Sequence, residues 1–292
     1  MSLTIHTSEL TASCPRQAQL RIEGREHRQA TTALVRGLVA HAALEHITLE
    51  PEMTTDSAVE LAWDTTARKL LDEGRNMTAA VIADEDAIRL EIEAVCDQWR
   101  AYMTSRMLKV IGCELPVCMD IDIDGEPVRF ESHVDCVYHG ADPLTGEDAV
   151  VLVDWKYHQT VPTSAYLARN LQFGLYQHAI ANGGLQVDGW PWLMPDGVPL
   201  VAYWCHLPNF KPYARKTTVS EDGEPVTYEK GDRRPANRIF YAATLNEPGR
   251  LLEELAIRVR MYRAGLYPAI PDPTGCYLCQ SSYACTSFAA YA

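Results

Sequence analysis

Val151-Leu152-Val153-Asp154-Trp155-Lys156 is an apolar strand that takes on a carboxylate and an ammonium two residues apart. Side chains alternate faces along a strand, so Asp154 and Lys156 project from one side while Val153 and Trp155 project from the other. The stretch from Val128 to Tyr138 alternates in the same way and sets Glu131, His133 and Asp135 on one face. Burying such charges on an apolar sheet costs roughly several kcal/mol each unless they are paired or hold a metal. Two carboxylates and a lysine on neighbouring strands therefore need a chemical reason.

Working outward, Met119 to Asp135 alternates apolar and polar residues around Asp124-Gly125, a strong hairpin signal, and Asp142-Pro143 with Gly146 marks a second turn. Three adjacent antiparallel strands are expected. Upstream, apolar residues recur at helical spacing from about Thr31 to Leu49, which puts His41 partway along a helix, and further helices are expected at about 57–73 and 84–108. Downstream, Ser164 to Asn182 reads as one helix ended by Gly183-Gly184, Leu200 to Leu207 as a buried strand, and Pro248 to Leu266 as an amphipathic helix. Residues 50–110 are expected to form a peripheral helical insertion. Residues 208–238, with Pro, Gly and mixed charge, are expected to form a mobile hairpin or loop inserted beyond the core.

A chain of 292 residues with 47% hydrophobic content can bury a large core. Met1 to Leu10 lacks a basic start followed by an apolar run, and no later segment has the length to span a bilayer, so a cytoplasmic location is expected. The nine cysteines then fit metal ligation for a clustered subset better than disulfides. Cys96, Cys113, Cys118, Cys136 and Cys205 fall in apolar patterns and read as small core residues. The net charge of -13 weighs against nucleic acid, but thirteen acids against four bases between Glu50 and Asp97 make much of it local. Arg16 to Arg36 carries five arginines to two glutamates, and Pro208 to Arg238 seven bases to five acids; these are the candidate tracks for a polyanion, although a solvated face explains such runs more often.

Five short motifs occur in order: Ser13-Cys14-Pro15-Arg16; Arg36-Gly37 with His41 and Glu45; Asp135; Asp154-Trp155-Lys156; and Gln172-Phe173-Gly174-Leu175-Tyr176, before Cys276, Cys279 and Cys285 close the chain. Together these resemble a RecB-like PD-(D/E)XK nuclease of the iron-sulfur group that includes the CRISPR-associated adaptation nucleases. One departure is Tyr157, where many relatives carry Ser or Thr. The resemblance implies an α/β (α+β) restriction-endonuclease-like core, a central mixed sheet flanked by helices, spanning residues 1–292 as one domain. By the same resemblance, His41, Asp135, Asp154 and the backbone carbonyl of Trp155 hold Mg or Mn, and Lys156 works with Asp154 and Asp135 in catalysis. Hard cations prefer oxygen ligands, and an imidazole shifts the preference toward Mn.

Four thiolates suit zinc or an iron-sulfur cluster, but the separation of Cys14 from Cys276, Cys279 and Cys285 resembles the [4Fe-4S] nucleases, where the cluster joins the terminal segments. Gln172 and Tyr176 form an i, i+4 pair on a helical face with Arg169, and with Arg215 and Lys216 are the candidate substrate contacts. Glu131 and His133 fit equally a supporting role beside Asp135 or the surface. The expected activity is an exonuclease on single-stranded or frayed DNA ends, with a recombination or CRISPR integration protein as a possible partner and no membrane association. The alternative is a DNA-binding assembly module with little catalytic power. No G-x4-G-K-[ST] loop occurs, so unwinding would fall to a partner.

Overall fold

The computed structural model describes residues 3–6, 14–23, 30–158, 162–168, 170–208, 216–219, 225–228, 240–243, 248–269 and 285. Strand β1 (Leu3–His6) and helix α1 (Pro15–Ile22) come first, followed by four helices, α2 (Thr32–Leu49), α3 (Thr55–Asp72), α4 (Ala79–Ala83) and α5 (Glu85–Arg106). Strands β2 (Lys109–Ile123), β3 (Glu126–Ala141) and β4 (Asp148–His158) run consecutively; helices α6 (Ser164–Leu167) and α7 (Leu171–Ala181) follow, then β5 (Gln186–Val187), β6 (Trp190–Pro191) and β7 (Leu200–Pro208). The short strands β8 (Lys216–Val219) and β9 (Pro225–Tyr228) pair as a separate hairpin, before β10 (Phe240–Ala242) and helix α8 (Pro248–Arg263).

Local chemistry explains the main elements. Asp124 and Gly125 take φ of 61° and 81°, the left-handed pair that a tight two-residue hairpin requires, and join β2 to β3. Thr31 caps α2 by accepting from the Leu34 N–H, and Val35, Val39, Ala43 and Ile47 bury one face of that helix. The expected single helix across 164–182 is instead two. Asn170 is extended, with φ -74° and ψ 109°, and its side chain accepts from the Gln172 and Phe173 N–H groups, so it starts α7 afresh.

The main sheet runs β1-β3-β4-β7-β10, with β2 on the other edge of β3. The expected antiparallel trio β2, β3 and β4 is present, and β7 lies parallel to β4 with Asp154 beside Trp204 and Lys156 beside His206. Helices α2, α3 and α5 pack on one face, where Trp99, Tyr138, Val151, Val153 and Trp155 are buried. Helices α7 and α8 pack on the other, against Val150, Leu152, Phe173, Trp204 and Leu255. Covering both faces makes residues 149–153 of β4 a continuous apolar run, which is why Asp154 and Lys156 directly after it stand out.

One feature of the sheet positions the site. On the edge of β3 away from β2, β1 pairs with residues 128–131 and β4 with residues 136–141. Residues 132–135 lie between these two ladders. The strands part here, and side chains fill the opening.

Candidate active site

The opening is closed by hydrogen bonds from elsewhere in the chain. Asp135 Oδ2 accepts the backbone N–H of Trp155 at 2.6 Å, just past the last β3–β4 pair, Cys136 with Val153. Tyr176 Oη donates to the His133 carbonyl at 2.8 Å, while Gln172 Nε2 donates to Tyr176 Oη at 2.8 Å. Gln172 Nε2 also lies 3.4 Å from Asp154 Oδ1. The i, i+4 spacing on α7 thus becomes a chain from sheet to helix to carboxylate, since residues four apart share a helical face. Tyr176 is buried and its hydroxyl is taken up inside the protein, so it stands behind Gln172 and offers no surface for a substrate.

Asp154 is completely buried, and Lys156 Nζ reaches its Oδ2 at 2.6 Å. Burial is the largest influence on Asp154 and raises its pKa to about 6 even though Lys156 pulls the other way. Burial works against the Lys156 ammonium, but the carboxylates of Asp154 and Asp135 outweigh it and hold its pKa above the ordinary value. Asp135 is likewise raised by burial. The Asp154 Oδ2 atom has an ion pair but no well-directed hydrogen bond, an expensive arrangement for a buried anion unless a cation completes it.

From the other side of the opening, α2 brings His41, whose Nδ1 lies 3.6 Å from Asp135 Oδ2. Burial, helped by Lys156, lowers the imidazole to about 4, so it is neutral near pH 7 and has a lone pair to donate. Glu114 on β2 completes a group in which one ligand atom each from His41, Glu114 and Asp135 lie within 4.8 Å of one another. Burial of its carboxylate, then the charges of Asp135 and Glu45, raise Glu114 to about 7 although the residue reaches solvent. One nitrogen and two oxygen donors suit Mn or Mg, so the residues fit a divalent cation. Asp154 is not in this group; its carboxylate is engaged by Lys156 and Gln172.

Glu114 is the residue that strand alternation alone misses. It has φ 47° inside β2, close after a register shift between Val110 and Gly112, and Gly112 is the one local signal of that irregularity. Of the two readings open for Glu131 and His133, the structure takes the surface: both are exposed, and Glu131 pairs with Arg129 at 2.7 Å.

The remaining expectations divide by position. Cys96, Cys113, Cys136 and Cys205 are buried core thiols as expected, whereas Cys118 is half-buried. Cys14 and Cys285 are half-buried; Cys276 and Cys279 lie outside the described residues. Arg169 and Arg215 lie outside them too, as does the Lys216 side chain. In the basic segment 16–36, Arg36 sits 3.6 Å from Glu91 and Arg16 donates to Gln19. Among the described residues no helix is long and apolar enough to cross a membrane.

No curated protein sequence matches the chain. A solved structure titled "Crystal structure of SSO0001" is similar at 9% identity and a TM-score of 0.40, covering 98% of this chain and 87% of that one, too distant to carry an argument. The profile of the PD-(D/E)XK nuclease superfamily matches residues 2–286. With that match across almost the whole sequence, the chain belongs to the PD-(D/E)XK nuclease superfamily.

Proposed function

We propose that the protein is a Mg- or Mn-dependent deoxyribonuclease that acts as an exonuclease on single-stranded or frayed DNA ends. The observation that carries this reading is the gathering of His41, Glu114 and Asp135 beside the buried Asp154–Lys156 pair. Members of the superfamily use divalent metals. His41, Glu114 and Asp135 would hold the cation, and the resemblance adds Asp154 and the Trp155 backbone carbonyl to its ligands. When bound, the cation supplies charge neutralisation at the phosphoryl oxygens and lowers the pKa of water.

The protein's own groups do the rest. Trp155 N–H fixes Asp135, so its carboxylate is aimed before substrate arrives. Lys156, held cationic by Asp154 and Asp135, orients the attacking water and stabilises charge developing on the phosphoryl group. Gln172, braced by Tyr176, holds Asp154 from behind. Cys14, Cys276, Cys279 and Cys285 would ligate a [4Fe-4S] cluster that ties the two ends of the chain, a role supported by their likeness to the iron-sulfur nucleases. The same likeness supports a setting in recombination, repair or CRISPR adaptation.

The test is an anaerobic preparation assayed on end-labelled single and double strands with Mg, Mn or EDTA. Mononucleotides or short products released progressively from single-stranded ends, only with metal, are expected. No metal-dependent cleavage of any DNA would overturn the reading.

A further inference from the structure

A concavity of about 440 Å³ opens where α6 and the first turn of α7 face α8, lined by Tyr166, Asn170, Gln172, Glu254 and Arg258 among others. It falls within the range of pockets that take small organic groups. Gln172 is the wall it shares with the candidate active site, because the same amide lies 3.4 Å from Asp154 Oδ1. Whatever occupies the concavity therefore lies one side chain away from the buried carboxylate.

Tyr166 gives the concavity its chemistry. The residue is 53% exposed, unusual for an aromatic ring, yet it is not loose: the ring meets Trp204 edge-on at 5.9 Å and 84°. Trp204 in turn is buried and sits beside Asp154 in the β4–β7 register. An oriented, half-open ring is thus referenced to the same strand position as the catalytic candidate. Arg258 lines the other side, in a loose 3.6 Å pair with Glu254. An aromatic ring, an amide and a guanidinium around one concavity match a nucleobase and its phosphate.

We propose that this concavity receives the nucleotide next to the scissile phosphate, its base stacked on Tyr166 and a neighbouring phosphate near Arg258; the proposal rests on the nuclease function above and names the substrate feature it selects. A base within a duplex is stacked on both sides and pinned by its pairing, so Tyr166 is open to an unpaired base that can turn out of the helix, and not to a paired one. Tyr166 is then the residue that favours single-stranded ends over paired DNA.

The test separates binding from cleavage. Binding of an oligonucleotide carrying 2-aminopurine near its end is measured in EDTA, where metal-dependent cleavage cannot proceed. Tyr166→Ala should weaken single-strand affinity about 5- to 100-fold and lose the stacking quench, while Tyr166→Phe keeps both and blunt-duplex affinity is unchanged. With Mn, Tyr166→Ala should raise KM and leave kcat near wild type. Arg258→Gln should lower the slope of log affinity against log salt by roughly one phosphate contact. Equal affinity and quench in wild type and Tyr166→Ala would overturn the stacking, as would loss of both in Tyr166→Phe; an unchanged salt slope would overturn the phosphate contact. A wild type that binds and quenches but does not cleave removes the nuclease reading and leaves the pocket, whereas cleavage with an indifferent Tyr166→Ala does the reverse.

Discussion

The Trp155 N–H and the Asp135 carboxylate meet at 2.6 Å across the point where β3 and β4 stop pairing. A side chain thus takes the place that a strand carbonyl would fill, and the same carboxylate faces His41 and Glu114. On the proposed function, stability and metal binding are therefore combined in one residue.

Asp135→Asn and Asp135→Ala separate the two roles. Asn keeps an acceptor for Trp155 N–H but loses the charge, so cleavage should fall by a factor of at least about 100 while the urea midpoint stays close to wild type. Ala should lose activity equally and also destabilise by about 1–3 kcal/mol, because it leaves a buried N–H unsatisfied. Equal stabilities for the two variants would remove the structural role.

Lys156→Met should abolish cleavage and destabilise by up to about 3–5 kcal/mol, since it strands a buried carboxylate. Adding Asp154→Asn removes the stranded charge. The double variant should recover part of the stability in denaturant melts and none of the activity; a double variant less stable than Lys156→Met would contradict the pairing.

The acid shifts set a pH dependence. Glu114 is raised to about 7 and Asp154 to about 6, so the folded state keeps protons that the unfolded chain releases from about pH 4 upward. The contribution of these two acids to stability without metal is therefore fully present below about pH 4 and is lost as pH rises through 6 and 7, while His41, lowered by burial, works in the opposite direction. Cation binding needs the charged acids, while His41, lowered to about 4, is already neutral between pH 5.5 and 7.5. Calorimetric Mn affinity should increase from pH 5.5 to 7.5, by roughly tenfold per unit for each proton released. Glu114→Gln should weaken and flatten that dependence; an unchanged titration would exclude Glu114 as a ligand.

Gly184→Ala tests how α7 is held to β2. Gly184 accepts the Cys118 N–H through its carbonyl at 2.9 Å, and an added Cβ would lie 2.1 Å from the Cys118 carbonyl oxygen. Backbone must shift, so a loss of about 1–3 kcal/mol is expected in thermal or urea melts. Wild-type stability would show that this contact is readily relieved.

Much of the architecture was legible because it is written locally. The Asp124-Gly125 turn, the period of α2 and the apolar run of β4 each depend on neighbours in sequence, and each appears in the structure near its expected bounds. Asp154 and Lys156 were equally plain, since alternation alone puts them on one face and their 2.6 Å pairing follows. The break at Asn170 was missed because an apolar helical pattern continues across it, and only the cap hydrogen bonds show where one helix ends and the next begins.

What tertiary structure decided is which distant groups share the opening in the sheet. Glu114 joins His41 and Asp135 because a register shift and a left-handed backbone conformation redirect it; Gly112 marks the irregularity in the sequence, but strand pairing decides which side chain it turns inward. Tyr166 meets Trp204, and Tyr176 closes the gap at His133, only after helices and strands far apart in the chain have packed. Periodicity is a property of one element, so it gives the faces; the meeting of faces depends on side-chain volumes and backbone hydrogen bonds across elements, which are satisfied only in the folded whole.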